Sequence, residues 1–191
     1  MDIIFAYFRL PNQINSNNMI ALYILGSIAL FVVLLILVAP TEFKMEREIS
    51  INKPKDEVFN YLKQLKNQDT WSVWSMKDPN MKKEFKGTDG TVGFISLWDS
   101  ANKNVGKGEQ EIKKITEGER IDFEMRFEKP MKATNDAFLT AAAASENTTK
   151  VTWGFSGLCK RPSNVITLLM KGMLRKDFDQ GLANLKKNLE H

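Results

Sequence analysis

The groups in this sequence that could move protons are carboxylates and hydroxyls, because the usual imidazole and thiol machinery is almost absent. The 191 residues contain one histidine, His191, at the last position, and one cysteine, Cys159. A Ser-His-Asp triad, a Cys-His pair and any multi-histidine or multi-cysteine metal centre need residues this chain lacks. No metal and no cofactor is expected. The remaining candidates are Glu109 and Glu111, which alternate on one stretch of strand-like sequence, with Asp99, Glu124 and Asp136 on others. Two carboxyls with pKa values pushed apart could work as an acid–base pair. The competing reading is an outer sheet face of cross-strand ion pairs, because Glu111 and Glu124 stand among lysines and arginines. Cys159 lies beside Lys160 and Arg161, but no histidine is available as its base, and an incidental cysteine is the simpler reading. Gly106 and Gly108 form a Gly-x-Gly with no helix after it, so no phosphate loop is expected.

The apolar side chains are the stronger signal. Hydrophobic residues make up 43% of the chain, including 12 Phe, 9 Met and 4 Trp. Large ones recur along the presumptive elements: Trp71 and Trp74, Phe94 and Trp98, then Phe123, Met125 and Phe127 on one alternating run. Phe138, Trp153 and Phe155 follow, and Met170 and Met173 close the set. Together they could wall a ligand pocket, with methionines adapting to its shape; taken singly, each is equally a core residue. Binding would come from burial worth about 25 cal/mol per Å² of apolar ligand surface, with Asn135 or Thr140 as the polar group at the mouth. The net charge of +4 is too small to support nucleic-acid binding.

The elements that must position these residues fall into two regimes. From Met19 to Val38 twenty residues run without a charge, and at about 1.5 Å per residue they reach about 30 Å, the hydrocarbon thickness of a bilayer. This predicts a transmembrane helix over 19–39, after an N-terminal segment 1–18, with a linker 40–44. The membrane contact is expected through residues 19–38, and Leu37 and Pro40 argue against cleavage after Ala39. Upstream only Arg9 is basic, whereas Lys44, Arg47, Lys53 and Lys55 follow closely. The positive-inside rule therefore leans the large C-terminal part toward the cytoplasm.

Residues 45–191 are polar and periodic, and long enough to bury a core. Met45–Asn52 alternates as a strand, with Met45, Arg47, Ile49 and Ile51 on one face. Pro54 suits a first helical position, and Val58, Leu62 and Leu65 mark one face of the helix that follows. Met81–Phe85 and Thr91–Trp98, split by Gly87 and Gly90, read as a hairpin. Val105–Ile115, Arg120–Glu128, Thr134–Ser145 and Thr149–Ser156 read as further strands joined by tight turns, hence an antiparallel meander. After Pro162, the positions Val165, Leu169, Met173, Leu174, Phe178, Leu182, Leu185 and Leu189 mark a long amphipathic helix. Gly172 and Gly181 interrupt it, which asks for a packing or shape reason. Strand, helix, several strands, long helix is an α+β order.

That order, carried by ISINKPKDEVFNYLKQLKNQDTWSVW, WSMKDPNMKKEFKG, VGKGEQEI, FEKPMKATNDAF, TKVTWGFSG and KDFDQGLANLKKNL, resembles the START-like helix-grip superfamily (SRPBCC), in particular its polyketide cyclase/dehydrase-like branch. The resemblance spans roughly Phe43 to Leu189. It implies a curved antiparallel sheet wrapped around the C-terminal helix, with an apolar cavity between them. Members bind lipids, sterols and polyketides, and some catalyse ring closure or dehydration. The expectation is therefore membrane-anchored binding of a hydrophobic or amphipathic small molecule. A cyclase, dehydratase or hydrolase of the same fold is the alternative, favoured by an inward carboxylate. A protein-interaction module resembling chaperone-ATPase activators is a third, favoured by a patch on the outer sheet face; the residues name no particular protein partner.

Overall fold

The computed structural model describes residues 16–191, apart from the side chains of Leu169 and Met170; most of the N-terminal segment 1–18 therefore lies outside the described residues. The chain divides into two compact units, one ending at Val38 and one covering Ala39–His191. In the first, helix α1 (Ser16–Val38) has 23 residues and buries none of them. It is apolar on every side, so it has no polar face to turn toward water and is long and apolar enough to cross a membrane.

The second unit is a seven-stranded antiparallel sheet in the order β1-β7-β6-β5-β4-β3-β2. Strand β1 (Glu42–Ile51) starts three residues before Met45, where the alternation becomes readable, because Glu42 already pairs with Leu158. Helix α2 (Lys55–Lys63) buries Val58, Phe59 and Leu62. It ends before Leu65, against expectation: Gln64 is extended, and the Asp89 carboxylate accepts the Leu65 N–H at 2.7 Å, starting a separate 3-10 turn over Leu65–Thr70. A short helix α3 (Val73–Met76) precedes β2 (Lys82–Lys86) and β3 (Ile95–Asp99). That hairpin is shorter than its sequence suggests, since Gly87, Gly90 and Gly93 all take positive φ and open a wide connection. Phe94 still joins the sheet, because its carbonyl accepts the Ile112 N–H at 3.0 Å. Strands β4 (Lys107–Thr116), β5 (Arg120–Lys129), β6 (Ala133–Ser145) and β7 (Thr148–Leu158) complete the meander.

Helix α4 (Ile166–Glu190) packs on the inner face of this sheet. Leu174, Phe178, Leu182, Leu185 and Leu189 are its buried stripe, packed with Ile51, Ile121, Leu139 and Val151 of the strands and with α2. Trp153 stacks on Phe178 at 3.9 Å between centroids and meets Trp71 edge-on at 5.0 Å. Gly181 accounts for the close approach: a Cβ there would come within 3.0 Å of the Trp153 ring. Arg47, on the inner face of β1, reaches the helix and donates to Asp179 at 2.5 Å.

The register fixes which loops share an end of the sheet. The start of β1 lies beside the end of β7, the start of β6, the end of β5 and the start of β4. The helix α4 begins at this end, where Asn164 Nδ2 donates to the Ala39 carbonyl at 2.7 Å and Thr167, whose hydroxyl donates to the Asn164 carbonyl at 2.6 Å, lies beside Pro40. It finishes at the opposite end, where Glu190 accepts the Asn52 N–H at 2.6 Å and Lys186 donates to the Ser50 carbonyl at 2.8 Å. The amphipathic stripe expected to run through Met173 seats only from Leu174 onward. Met173 is 59% exposed, and a Cβ on Gly172 would meet nothing within 4 Å among the described residues.

A half-open inner face and an ion-paired outer face

The two faces of the sheet carry different chemistry. On the outer face Glu109, Glu111 and Glu124 all accept from Arg126: Nε donates to Glu109 at 2.5 Å, and Nη1 donates to Glu111 at 2.7 Å and also to Glu124. The Arg126 hydrogen bond holds the Glu111 carboxyl below its ordinary range, with Lys113 adding to it. The three carboxylates in turn push the guanidinium up. These acids are an ion-pair cluster, as the cross-strand reading expects, and Asp136 lies on the same face opposite Glu124. Asp99 is exposed at the end of β3. Among the described residues, no group of three or more His, Cys, Asp or Glu is arranged to hold a metal ion.

Phe138 also belongs to the outer face, not to the space between sheet and helix. Its strand neighbours Ala137, Leu139 and Ala141 take the inner positions, where α2 packs over β6 and leaves room for small side chains. The Phe138 ring lies over Gly154, where a Cβ would overlap it, and Arg120 caps it at 3.9 Å. It forms part of the wall of an open concavity of about 520 Å³ together with Lys44, Glu46, Asp122 and Asp136. Thr140 points outward as well, opposite Arg120 and Thr152.

On the inner face the large side chains divide. Trp71, Phe94 and Phe123 are at most 2% exposed, and they join Phe155 and the stacked Trp153 in the core. Toward the start of α4 the same face is only half-buried, at Phe43, Trp98, Met125 and Phe127. One cross-strand row there reads Phe43, Gly157, Asn135, Met125, Gln110, Ser96, Phe85. Asn135, Gln110 and Ser96 form no side-chain hydrogen bond among the described residues. Gly157 makes space for Asn135, and Gly108 for Trp98, since a Cβ at either position would overlap that neighbour. Trp98 meets Phe127 edge-on at 5.7 Å, and its Nε1 is buried with no partner among the described residues; the Nε1 atoms of Trp71 and Trp74 share that condition. Trp74 sits on α3 with the Lys77 ammonium 5.0 Å from its ring, Met173 is on the exposed part of α4, and the side chain of Met170 is outside the described residues.

Unpartnered amides and hydroxyls in an apolar field are costly, about 1–3 kcal/mol each once desolvated. Three such side chains and an indole N–H on one patch make a surface suited to a ligand with both apolar bulk and hydrogen-bonding atoms. Reading by residue size brings Trp98, Met125 and Phe127 to this patch but misses Gln110, Ser96 and Phe43. The signal was present: Gly108, Gln110 and Ile112 share the inward phase of β4, whereas Glu109 and Glu111 hold the outward one.

An antiparallel sheet closed on one face by a C-terminal helix, with part of that face left half-open, is a helix-grip protein. Over residues 42–190 the sequence matches the polyketide cyclase / dehydrase and lipid transport family, and the chain belongs to that family. A search of curated proteins gives no match. Among solved structures, an Aha1 dimer from Colwellia psychrerythraea is similar at a TM-score of 0.54 and 14% identity, covering 78% of this chain and 96% of that one. Norcoclaurine synthase from Thalictrum flavum, in complex with dopamine and hydroxybenzaldehyde, gives 0.56 and 10%, covering 80% and 88%. A protein from Mesorhizobium loti gives 0.55 and 16%, covering 76% and 95%. At these identities the likeness is one of fold.

Proposed function

We propose that this protein binds an amphipathic small molecule, lipid- or polyketide-like, on the half-open inner face, and that α1 anchors it as a single-pass membrane protein with the domain on the cytoplasmic side. The observation that carries the reading is the row of unpartnered Asn135, Gln110 and Ser96 set between Trp98, Met125 and Phe127. A core would bury apolar groups there; a binding surface needs polar atoms to orient its ligand. Family membership supports the same class of ligand. Binding is favoured over carboxylate catalysis because the inner positions of the seven strands hold no Asp or Glu, and the α4 acids Asp177 and Asp179 are paired with Lys77 and Arg47.

The test is native mass spectrometry with lipid extraction on the full chain, purified in detergent from membranes of the host it comes from. A stoichiometric co-purifying amphipathic molecule, lost on Trp98→Ala, is the expected result. A clean ligand-free mass, with no thermal shift from lipids or polyketides, would sink the reading. It would move attention to the outer concavity around Phe138 and a protein partner.

A further inference from the structure

We infer that the end of the domain from which the anchor departs rests directly on an anionic bilayer surface, with Leu158, Ile166, Leu168 and Met173 entering the interface. This rests on the reading of α1 as a membrane anchor. Ala39 follows Val38, the last residue of α1, and neighbouring Cα atoms are about 3.8 Å apart. The Ala39 carbonyl is held by Asn164, and Thr167 bonds back to the Asn164 carbonyl, so the start of the α4 region is fixed to the first residue after the anchor. The Cys159 N–H, donated to the Thr41 carbonyl at 2.8 Å, fixes the end of β7 to the same segment.

The surface around that point is apolar where a water-facing helix end is normally polar. Leu158 is 71% exposed, Leu168 51%, Met131 48% and Ile166 39%. Charge is sorted by end of the sheet. The connections on the anchor side, 77–81, 100–106, 130–132 and 159–162, contain Lys77, Lys103, Lys132, Lys160 and Arg161 against one acid, Asp78, which bonds to Ser100. Those on the far side, 52–54, 87–94, 117–119 and 146–147, contain Asp89, Glu117, Glu119 and Glu146 against one base, Lys53. From Gly157 to Lys176 the chain adds Lys171, Arg175 and Lys176 with no acid between them. Exposed apolar side chains ringed by lysine and arginine are the pattern of a surface that sinks into a headgroup layer bearing negative charge. The opposite end would be repelled by the same layer, so the charges orient the domain as well as attract it. Phe127 and Met125 run toward this end of the inner face, so a ligand could pass between bilayer and protein without crossing water.

The test uses the full chain with Cys159→Ser and one new cysteine, Leu168→Cys or Glu146→Cys, carrying a fluorophore. Each is reconstituted into phosphatidylcholine vesicles containing phosphatidylglycerol and a spin-labelled lipid quencher. The two positions are separated by about the length of β7, on the order of 35 Å. The label at 168 is expected to be quenched at least about threefold more than the label at 146. Replacing Lys132, Lys160 and Lys171 by glutamate should bring that ratio toward one while the chain still resists alkaline extraction. Equal quenching at both positions in a chain that resists extraction overturns the docking and leaves the anchor standing. Extraction at alkaline pH overturns the anchor and the docking together. A ratio unchanged by the three glutamates overturns the role of anionic lipid.

Discussion

Gln110→Leu should make the ligand-free protein more stable and a worse binder. Gln110 is 9% exposed on the inner face of β4 and forms no side-chain hydrogen bond among the described residues. A fully buried unpartnered amide costs about 1–3 kcal/mol; water still reaches the Gln110 amide, which lowers its cost to about 0.5–1 kcal/mol. Leucine fills nearly the same volume with no polar atom, so the gain is about 0.5–1 kcal/mol. For a domain of this size that is on the order of 1–4 °C in Tm. Loss of one neutral hydrogen bond to a ligand weakens binding by about 0.5–1.5 kcal/mol, or about 2- to 12-fold. The assay is thermal unfolding of the delipidated full chain in detergent, paired with titration of whichever molecule co-purifies. A lower Tm would mean that Gln110 is a satisfied structural amide, and the argument from unpartnered groups would fail. A higher Tm with unchanged affinity would remove Gln110 from the binding surface.

Other consequences can be measured alongside it. Gly172→Ala should raise stability by about 0.5–1 kcal/mol, since its methyl meets none of the described residues, whereas Gly181→Val should lower it by about 1–3 kcal/mol by driving into Trp153; equal effects in chemical denaturation would contradict the seating of α4. Leu182→Ala, at a 1% exposed position, should cost about 2–5 kcal/mol in the same assay. Arg126→Met should cost about 1 kcal/mol at neutral pH by leaving Glu109, Glu111 and Glu124 without their shared cation. The Glu111 carboxyl is held below 4.5 in the folded state, so its contribution is complete above that value and is lost as pH falls through the lower folded one. The gap between wild type and Arg126→Met should therefore narrow in acid, and a gap constant with pH would refute the assignment.

The fold was legible because alternation and helical period say which positions are buried. Ile121, Phe123, Met125 and Phe127 could face only one way, and the stripe from Leu174 to Leu189 could close only on that face. What stayed hidden depends on partners distant in sequence. Phe138 reads as core by size, yet α2 occupies the space over β6 and Gly154 opens a seat on the other side. The stop of α2 at Lys63 depends on Asp89, a residue of the β2–β3 connection. Gln110 was hidden for a different reason: an amide between two carboxylates attracts less notice than they do, although its parity with Gly108 and Ile112 points inward. Size and charge found the walls of the candidate site; strand phase was needed to find its polar row.

The segment between the last turn of α1 and the first residue of β1 is Ala39-Pro40-Thr41, and hydrogen bonds hold the carbonyls of Ala39 and Thr41. Fully stretched, three residues span only about 10 Å, and these are not free to stretch. With α1 in a bilayer, such a leash rules out a ferry that carries cargo across an aqueous gap to a second membrane. The domain would work as a fixed station, loading from and releasing to the leaflet beneath it, or handing its ligand to a carrier that comes to it. Lengthening the leash with a flexible insert after Thr41 would then change who receives the ligand before it changes how tightly the ligand is held.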